Sequence, residues 1–558
     1  MKNTIVKGLS ALLTAGMLVG CSSDYLDLAP VTSVSTVQVQ TTEEGARFAL
    51  YGACQTMYCP ISDYFDYLFP NGEPYVATVY GEVLGQDYFS LMWANQTGSN
   101  YLWAANRIPG SWLGNIGWGY CYNLINQVNV ILDGIDTIEG DRDNLDFIKA
   151  QALTIRAHAY IRLLQIYAPR WQDSQNGEVY SVVLRLKSGI ENVPLFKMKD
   201  VLNQIYDDLS TAEALYEGTK TERTHIWEPD LSVAKALHAR AALLKQDWPT
   251  AQKMAHEARQ GYTISTPEQY KNGFCTPTDE WMWAAHEDDK SVFFAAYGSM
   301  FACNGPYPGI WGYGAGAINY ELYKKIPTGD VRAEFFFTPD KLVGNKVTAS
   351  SFWNENWIQP LSMDLNTLNA LMKNQIEAFQ SRTKPINDEI KYLDAYSNFQ
   401  TGSNAQSYVV FGAQYKFWGK DTYGSGDFCI IRGAEMLLTE AEAACHNGDQ
   451  TTAINNLKEL NAQRNENYTC NLSGDALLEE VMLQRRIELW GEGFNWFDLK
   501  RWNLPMDRKP WVQRDNNSNN VPRAYAITKD PSDRGWRFSV PLSESRYNTA
   551  VDRTLVDD

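Results

Sequence analysis

The chain has 558 residues, of which 44% are hydrophobic and 21% charged, a composition typical of a globular protein with a large core. Its formal net charge is −17 at pH 7, and the part that follows Lys2 and Lys7 is more acidic still. Because so acidic a surface repels polyanions, we exclude nucleic acid and anionic lipid headgroups as partners. Aromatic residues reach 13%, more than a core needs, and surface rings commonly contact sugars or peptides.

The first twenty residues have the features of a secretory signal. Lys2 and Lys7 form a basic start, and residues 9–19 are mostly apolar but too few to span a bilayer. The tetrapeptide L-V-G-C that ends at Cys21 resembles a bacterial lipobox. Residues 1–20 are therefore predicted to be a signal peptide and Cys21 the lipidated residue, which would be the sole membrane anchor. The alternative is an ordinary secretory signal that ends near a cysteine by chance.

A polar segment follows the signal. Residues 21–42 are predicted to be a tether that runs over the surface, and residues 43–558 a single body. The remaining cysteines form no C-x-x-C pair. Cys54 and Cys59 could pair in an oxidising compartment, but their spacing leaves this open.

Helical periodicity dominates the body. Apolar residues recur every three or four positions in a first helix pair within 115–168, which Pro169 ends. A second pair, within 199–260, turns at 245–249 and has small alanines at facing positions, like a tetratricopeptide hairpin. A third group occupies 432–502. Since one hairpin cannot bury its own apolar face, the predicted fold class is mainly α, a bundle of stacked tetratricopeptide-like hairpins with a few short strands.

The stretch 261–431 differs from the hairpins and is predicted to be an irregular, aromatic-rich insert. It contains a predicted strand at 292–297, a loop rich in Gly, Pro and rings at 303–317, and a predicted helix near 365–379. The stretch 86–118 is similarly aromatic and is also predicted to be loop-like. Because long loops on a rigid scaffold usually carry function, we predict that the ligand site lies where these two aromatic regions meet.

The predicted chemistry of this site is ring stacking on the C–H faces of a sugar, with polar side chains that bind its hydroxyls. The candidate ligand-binding residues are Trp93, Asn95, Tyr101, Trp103, Tyr297, Tyr307, Trp311 and Tyr313. The alternative for any one of them is that it fills the interior of a lobe with little regular structure.

No catalytic motif is present in the sequence. There are six histidines and no H-E-x-x-H, Walker loop or G-x-S-x-G motif. The run H-E-D-D at 286–289 is interpreted as a solvated face, because four consecutive side chains face one ion only if the backbone loops. No stretch singles out a glycosidase carboxylate pair. We therefore predict no catalytic residue, metal or cofactor, and we interpret His158 as a packed core or boundary residue.

The most informative stretch is Q-R-R-I-E-L-W-G-E-G-F-N-W-F-D-L-K-R-W at 484–502. Its charges recur at helical spacing, and Gly491 and Gly493 are predicted to loosen the helix before an aromatic plug. Two arginines beside each carboxylate favour plain ionisation over acid–base catalysis. We predict an ion-pair network that clamps the bundle, formed by Arg485, Arg486, Glu488, Glu492, Asp498 and Arg501.

This stretch resembles the C-terminal signature of the SusD-like (SusD/RagB) outer-membrane lipoproteins of Bacteroidetes, whose pattern usually has an arginine where Phe494 or Asn495 stands. The lipobox followed by D-Y-L-D, the hairpins, and R-G-A-E-M-L-L-T-E-A-E-A at 432–443 extend the resemblance over nearly the whole chain.

The resemblance implies a non-enzymatic, lipid-anchored protein at the cell surface of the outer membrane. The resemblance also implies that the protein sits as a hinged lid over a SusC-like TonB-dependent barrel. Proteins of this family capture oligosaccharides or, in some members, peptides. The expected function is capture of oligosaccharides and their delivery to such a transporter. The alternatives are an oligopeptide-binding member of the family, a surface glycoside hydrolase, and a purely structural lid.

Overall fold

The computed structural model describes residues 35–58, 72–90, 103–286, 316–336, 414, 416–417, 426–508 and 527–556, and the backbone of short strands between 342 and 410. Most of this part of the chain is helical, and its strands are short. The predicted mainly α, tetratricopeptide-like fold class is confirmed.

The helices are, in chain order, α1 (Thr36–Thr41), α2 (Glu43–Tyr58), α3 (Gly72–Tyr75), α4 (Trp112–Gly134), α5 (Arg142–Tyr167), α6 (Met198–Gly218), α7 (Leu231–Lys245), α8 (Trp248–Ala258), α9 (Pro267–Tyr270), α10 (Tyr320–Tyr323), α11 (Gly433–His446), α12 (Gln450–Asn461), α13 (Gly474–Glu488), α14 (Asn495–Arg501) and α15 (Leu542–Tyr547). A π-helix, Val76–Val83, continues directly from α3. Short 3-10 turns lie at Ile135–Thr137, Trp171–Asp173, Val331–Phe335, Arg534–Trp536 and Arg553–Leu555.

The strands pair two by two, and each pair is antiparallel. They are β1 (Tyr88–Ser90) with β5 (Gly316–Ile318), β2 (Tyr180–Val183) with β3 (Leu195–Lys197), β4 (Trp281–Ala285) with β10 (Phe428–Arg432), β6 (Leu342–Val343) with β7 (Lys346–Val347), β8 (Ala395–Thr401) with β9 (Ala405–Val410), and β11 (Met506–Asp507) with β12 (Thr528–Lys529).

The helical hairpins stack on one another. Helix α4 packs on α5, α7 on α8 and α11 on α12, while α5 packs on α6 and α8 on α11. The second helix of each hairpin begins at an aspartate whose carboxylate accepts a backbone N–H of the first turn, namely Asp141, Asp247 and Asp449. Gln246, at φ +60°, ends α7 in the left-handed conformation and so allows the tight turn into α8.

The predicted tether is wrong for its last residues. Ser35 and Gln38 form a capping box, and α1 follows with Val39 buried. A Cβ on Gly134 would lie 2.6 Å from Gln40, so α1 lies directly against the end of α4. A helix of one and a half turns is too short to produce a periodic pattern, so the sequence alone did not reveal it.

The loop predicted at 86–118 is also partly wrong, because α4 begins at Trp112. Ser111 caps it by accepting the N–H of Gly114. Three glycines in its first turns lower the intrinsic helix propensity. Gly117 has a packing role, since a Cβ there would lie about 3 Å from the hydroxyls of Tyr80 and Tyr167.

The insert is held to the body at more than one point. Strands β4 and β10 pair near its ends, with Trp281 opposite Arg432. Farther inside, Phe336 forms a β-bridge with Gln414, whose backbone N–H donates to Gly316 at 2.8 Å. The chain therefore leaves and returns at adjacent positions.

The core runs through the helical body and includes His158, which is fully buried and lies 2.8 Å from a carboxylate oxygen of Glu73, as its interpretation as a core residue requires. Cys54 is a free, buried thiol. Cys21, Cys59, the predicted strand at 292–297 and the predicted helix at 365–379 lie outside the described residues.

Candidate functional site

The two aromatic regions predicted to meet start from the same small sheet. In the pair β1–β5, Ser90 lies opposite Gly316 and Tyr88 opposite Ile318. Trp93 and Asn95 follow Ser90 within five residues, and Trp311 and Tyr313 precede Gly316 within five residues. The two aromatic stretches are therefore joined in sequence to two paired strands. We call the pair β1–β5 the loop root.

The signature holds the loop root in place. The guanidinium of Arg486 donates to both carboxylate oxygens of Asp87, at 2.8 and 2.6 Å. The indole N–H of Trp490 donates to the carbonyl of Asp87 at 2.9 Å, and its ring stacks on Tyr88 with centroids 5.2 Å apart. Asp87, just before β1, and Tyr88, its first residue, are thus both held by the signature.

Asn495, one of the two positions at which the signature departs from the family pattern, also binds near the loop root. Its side-chain oxygen accepts the N–H of Gln86 at 2.7 Å, and its amide donates to the Asp87 carboxylate. A Cβ on Gly85 would lie 2.2 Å from this oxygen, so a larger residue there would displace the Asn495 side chain. Asn495 is therefore held by its contacts with Gln86 and Asp87.

The loop of the signature lies against the π-helix, backbone to backbone. A Cβ on Gly81 would lie 2.3 Å from the carbonyl oxygen of Gly493, which itself has φ +94°. The carboxylate of Glu82 accepts the N–H groups of Gly493 and Phe494 at 2.7 and 3.0 Å. Burial outweighs these bonds and raises the pKa of Glu82 to about 8.

Glu488 is the centre of a buried ion cluster. Its carboxylate accepts from Arg464 at 3.0 Å, from Arg432 at 2.9 Å and from Arg332 at 3.3 Å. Burial alone would raise its pKa, but the three guanidinium groups outweigh burial and hold the pKa of Glu488 far below its usual range. The carboxylate is ionised at neutral pH and suits a structural role.

The same cluster fastens the insert to the signature. Arg432, the last residue of β10, donates to Glu280 at 2.6 Å and to Glu492 at 2.7 Å. The ammonium of Lys416, within the insert, donates to the carbonyls of Glu488 and Trp490 and to the Glu492 carboxylate. Both ends of the insert therefore converge on the signature.

The second half of the signature forms separate ion pairs. Asp498 accepts from Arg485 at 2.7 Å and from Arg501 at 2.8 Å. Arg501 also donates to Glu442 of α11 at 2.7 Å, and the indole of Trp502 donates to the same carboxylate. Each of the six predicted charged residues forms an ion pair, but the pairs divide among several clusters. The helix ends at Glu488, so Glu492 lies beyond it and does not share a helix face with Arg485.

Several partners were not predicted from the sequence, namely Asp87, Glu280, Arg332, Lys416, Arg432, Glu442 and Arg464. Arg432 could have been suspected, because it directly follows the apolar run F-C-I-I and precedes a helix. Glu442 lies in the stretch 432–443 that carries part of the resemblance, and the others have no local signal in the sequence.

Trp103 is the one predicted ligand-binding residue among those described, and it is a core residue. Its side chain is 2% exposed, and its ring lies 4.7 Å from that of Trp536. Its indole N–H donates to the carbonyl of Leu84 at 2.9 Å. With its ring enclosed, Trp103 offers no face to a ligand. The other seven candidates lie outside the described residues: Trp93, Asn95, Tyr101, Tyr297, Tyr307, Trp311 and Tyr313.

Two further observations concern only the part of the chain that the structure describes. No group of three or more His, Cys, Asp or Glu side chains there is arranged to hold a metal ion. None of the helices found there is both long and apolar enough to cross a membrane. His286 lies 2.8 Å from Asp427, and the rest of the H-E-D-D run is outside the described residues.

Comparisons with known proteins agree with this architecture. The model of the SusD family matches residues 321–551, and a model described as "Starch-binding associating with outer membrane" matches residues 76–243. A comparison with curated proteins finds no match.

Solved structures share the fold. A SusD-like carbohydrate binding protein from Bacteroides vulgatus is 20% identical, with 92% of this chain and 97% of that chain covered and a TM-score of 0.69. A SusD superfamily protein from Bacteroides thetaiotaomicron is 18% identical, with 92% and 99% covered and a TM-score of 0.66.

The stacked hairpins, the insert and the ion-paired signature define a mainly α, tetratricopeptide-like protein, and the matched family models describe SusD and outer-membrane-associated starch-binding proteins. The two family matches together span most of the chain. The chain is a SusD-like protein.

Proposed function

We propose that this protein captures an oligosaccharide at the cell surface and delivers it to a SusC-like TonB-dependent barrel, over which it acts as a lid. The observation that carries the proposal is the loop root, where Ser90 and Gly316 lie opposite each other. Two aromatic loops that start at one point of a rigid body can form a single binding surface.

The proposed binding side chains come from both loops. Rings would stack on the faces of the sugar, and the amide of Asn95 would bind a hydroxyl. The proposed set is Trp93, Asn95, Tyr101, Tyr297, Tyr307, Trp311 and Tyr313. Trp103 is left out because its ring is buried.

Rigidity of the loop root supports selective binding. Asp87 is held by Arg486 and Asn495, and Tyr88 is stacked on Trp490. A loop whose ends are fixed loses less conformational entropy when it binds a ligand, which favours affinity.

Binding without catalysis fits the buried carboxylates. Glu280 and Glu488 share Arg432, and neighbouring arginines lower the pKa of both against burial, which suits ion pairing and not proton donation. Glu82 has a raised pKa, but it is 1% exposed and binds backbone N–H groups, so a substrate cannot reach it.

The proposed anchor is a lipid on Cys21. Residues 22–34 lie between it and the cap of α1, so they span at most about 45 Å when fully extended. Such a tether would let the body move relative to the membrane while a partner barrel opens and closes. Replacement by C21A is expected to abolish membrane partitioning and leave the fold intact; unchanged membrane retention would refute the anchor.

Calorimetry tests the ligand. The mature chain without Cys21 is titrated with a panel of neutral glycans and with tryptic peptides. Saturable heat from one glycan class that is lost in W311A and W93A supports the proposal. The matched control is W248F, at the start of α8, which should bind normally.

Other results would overturn the proposal in different ways. Heat from peptides alone indicates an oligopeptide receptor, and shorter glycans released during the titration indicate a hydrolase. If no ligand binds, the titration is repeated on the complex isolated with its barrel; no binding there, or no barrel in a mild membrane extract, refutes capture and delivery.

A further inference from the structure

The helical body contains a cavity away from the loop root. It lies where the end of α5, the end of α14 and the segment 531–537 meet, and its volume is about 470 Å³. This is within the usual range for pockets that hold small organic ligands. Its wall includes four basic residues, Arg170, Lys500, Arg534 and Arg537.

The acidic residues of the wall are already engaged. Asp173 forms an ion pair with Arg170. Asp533 pairs with Arg107 and lies 3.7 Å from Lys529, neither of which lines the cavity, and it accepts the N–H of Gly535 at 2.7 Å. Their negative charges are therefore largely committed to other partners.

Lys500 is a buried cation whose neighbours do not neutralise it. It is 7% exposed, and its ammonium donates to the carbonyls of Gln165 and Ala168, both at 2.7 Å. Among the described residues, no carboxylate lies within ion-pairing distance of it. The two bonds cap the C-terminal end of α5 and leave one N–H of the ammonium for another acceptor.

The charges around Lys500 make the cavity electropositive. Burial is the main cause that lowers its pKa well below the usual range, and Arg537 and Arg534 lower it further. Asp173 acts in the opposite direction but is itself paired with Arg170. An anion in the cavity would relieve this repulsion.

Arg170 supplies a second available donor. Its Nε and Nη2 donate to Asp173, while its Nη1 is buried and has no hydrogen-bond partner among the described residues. A buried donor left unsatisfied is destabilising, so an acceptor at this position would be stabilising. The apolar wall, which includes Leu504 and Val179, suits the carbon skeleton of a ligand.

We propose that this cavity binds the oxyanion of a small acidic ligand, a carboxylate or sulfate group, through the ammonium of Lys500 and Nη1 of Arg170. The size of the cavity fits a single acidic sugar or an organic acid of similar size. None of the residues proposed to bind the oligosaccharide lines this cavity, and the proposal does not depend on that function.

The test is calorimetry on the mature chain with glucuronate, glucose and inorganic sulfate at low ionic strength. Glucuronate is expected to bind saturably and glucose, its neutral counterpart, not at all. Both R170Q and K500M should weaken glucuronate at least tenfold, the usual effect of losing a charge-assisted bond. The control R142Q, on the exposed start of α5, should bind like the wild type.

The sulfate arm identifies the source of the oxyanion. Sulfate that displaces glucuronate with equal affinity means that the site takes any free oxyanion, and weaker sulfate binding means that the organic ligand is read as well. Because K500M removes a helix cap and can unfold the protein, R170Q decides alone in that case. No saturable heat at millimolar glucuronate, or binding that R170Q leaves unchanged, overturns the proposal.

The pH dependence provides a further check. The amine of Lys500 is surrounded by Arg170, Arg534 and Arg537 and by the carboxylates of Asp173 and Asp533. An anion binds the protonated amine of Lys500 in preference to the neutral amine. Its affinity should therefore rise as the pH falls, and its binding should take up a proton. The same affinity in buffers from weakly acid to alkaline pH would show that Lys500 does not contact the anion.

Discussion

Around Glu488, buried carboxylates and guanidinium groups alternate, with Arg332, Arg432 and Arg464 on one carboxylate. Around Lys500, only twelve residues farther along, the buried cation contacts carbonyl oxygens and lies near further cations. Matched charges lock an element in place, because separating them would leave a buried charge unpaired. Lys500, which has no carboxylate partner among the described residues, leaves an electrostatic potential that a ligand can satisfy. One short signature therefore combines a structural cluster with a candidate binding wall.

The most direct test of this contrast is a substitution at the centre of the matched cluster. The substitution E488Q removes one negative charge and leaves three guanidinium groups facing a neutral amide. Because these groups are buried, the free energy of unfolding should fall by about 3–5 kcal/mol. Urea denaturation measures it.

The control for this substitution is E459Q on α12, a partly exposed residue that pairs with Arg259. Surface pairs contribute about 0–1 kcal/mol, so E459Q should change the free energy of unfolding little. Equal effects of the two substitutions would show that the Glu488 cluster does not clamp the body.

Acid should weaken the matched cluster in a defined direction. The pKa values of Glu280, Glu442 and Glu488 are lowered by neighbouring arginines against the effect of burial. A carboxyl whose pKa is lower in the folded state stabilises the fold above its unfolded pKa, about 4.3, and this contribution is lost as the pH falls below that value.

Urea midpoints measured from neutral pH down to about pH 3 should therefore decline steeply below about pH 4.5. E488Q should decline less steeply, because it has one fewer group to protonate. A wild-type midpoint that stays constant over this range would contradict the assignment of these carboxylates as ionised partners.

Backbone packing as well as charge holds the signature in place. The substitution G81A tests the backbone contact between Gly81 and Gly493. A Cβ at Gly81 would lie 2.3 Å from the carbonyl oxygen of Gly493, a distance that requires the backbone to shift. Overpacking of this kind costs about 1–3 kcal/mol, which a lower melting temperature should report. A variant as stable as the wild type would mean that the loop of the signature is free to move.

The smallest expected effect has the opposite sign. Gly119 is also helical, in α4, but a Cβ there would meet nothing within 4 Å. The substitution G119A should stabilise the protein by about 0.5–1 kcal/mol, because alanine has the higher helix propensity. A destabilised G119A would show that glycine content, and not the contact at Gly81, explains both results.

The sequence was sufficient for features that depend on near neighbours. The helical hairpins appear as a period of three to four residues, and their turns carry the capping aspartates Asp247 and Asp449. The prediction that the charges of the signature form ion pairs also needed only local composition.

Features that depend on distant contacts could not be predicted. Arg332 and Glu280 meet the signature only through the tertiary fold, and no nearby residue indicates this. Trp103 looks like a loop ring, but its position at φ +59° directs the chain so that the ring packs against Trp536. The contacts of Gly117 likewise override its low helix propensity.

The bridge between Phe336 and Gln414 has a consequence for how the protein can vary. Because this bridge brings the two ends of residues 337–413 together, the segment is a closed loop attached to the body. The entropy of closing a loop grows only with the logarithm of its length, and a doubling costs about 0.6 kcal/mol. Segments of very different length could therefore be exchanged between these two positions, which makes them a natural point for grafting a reporter or a foreign recognition module.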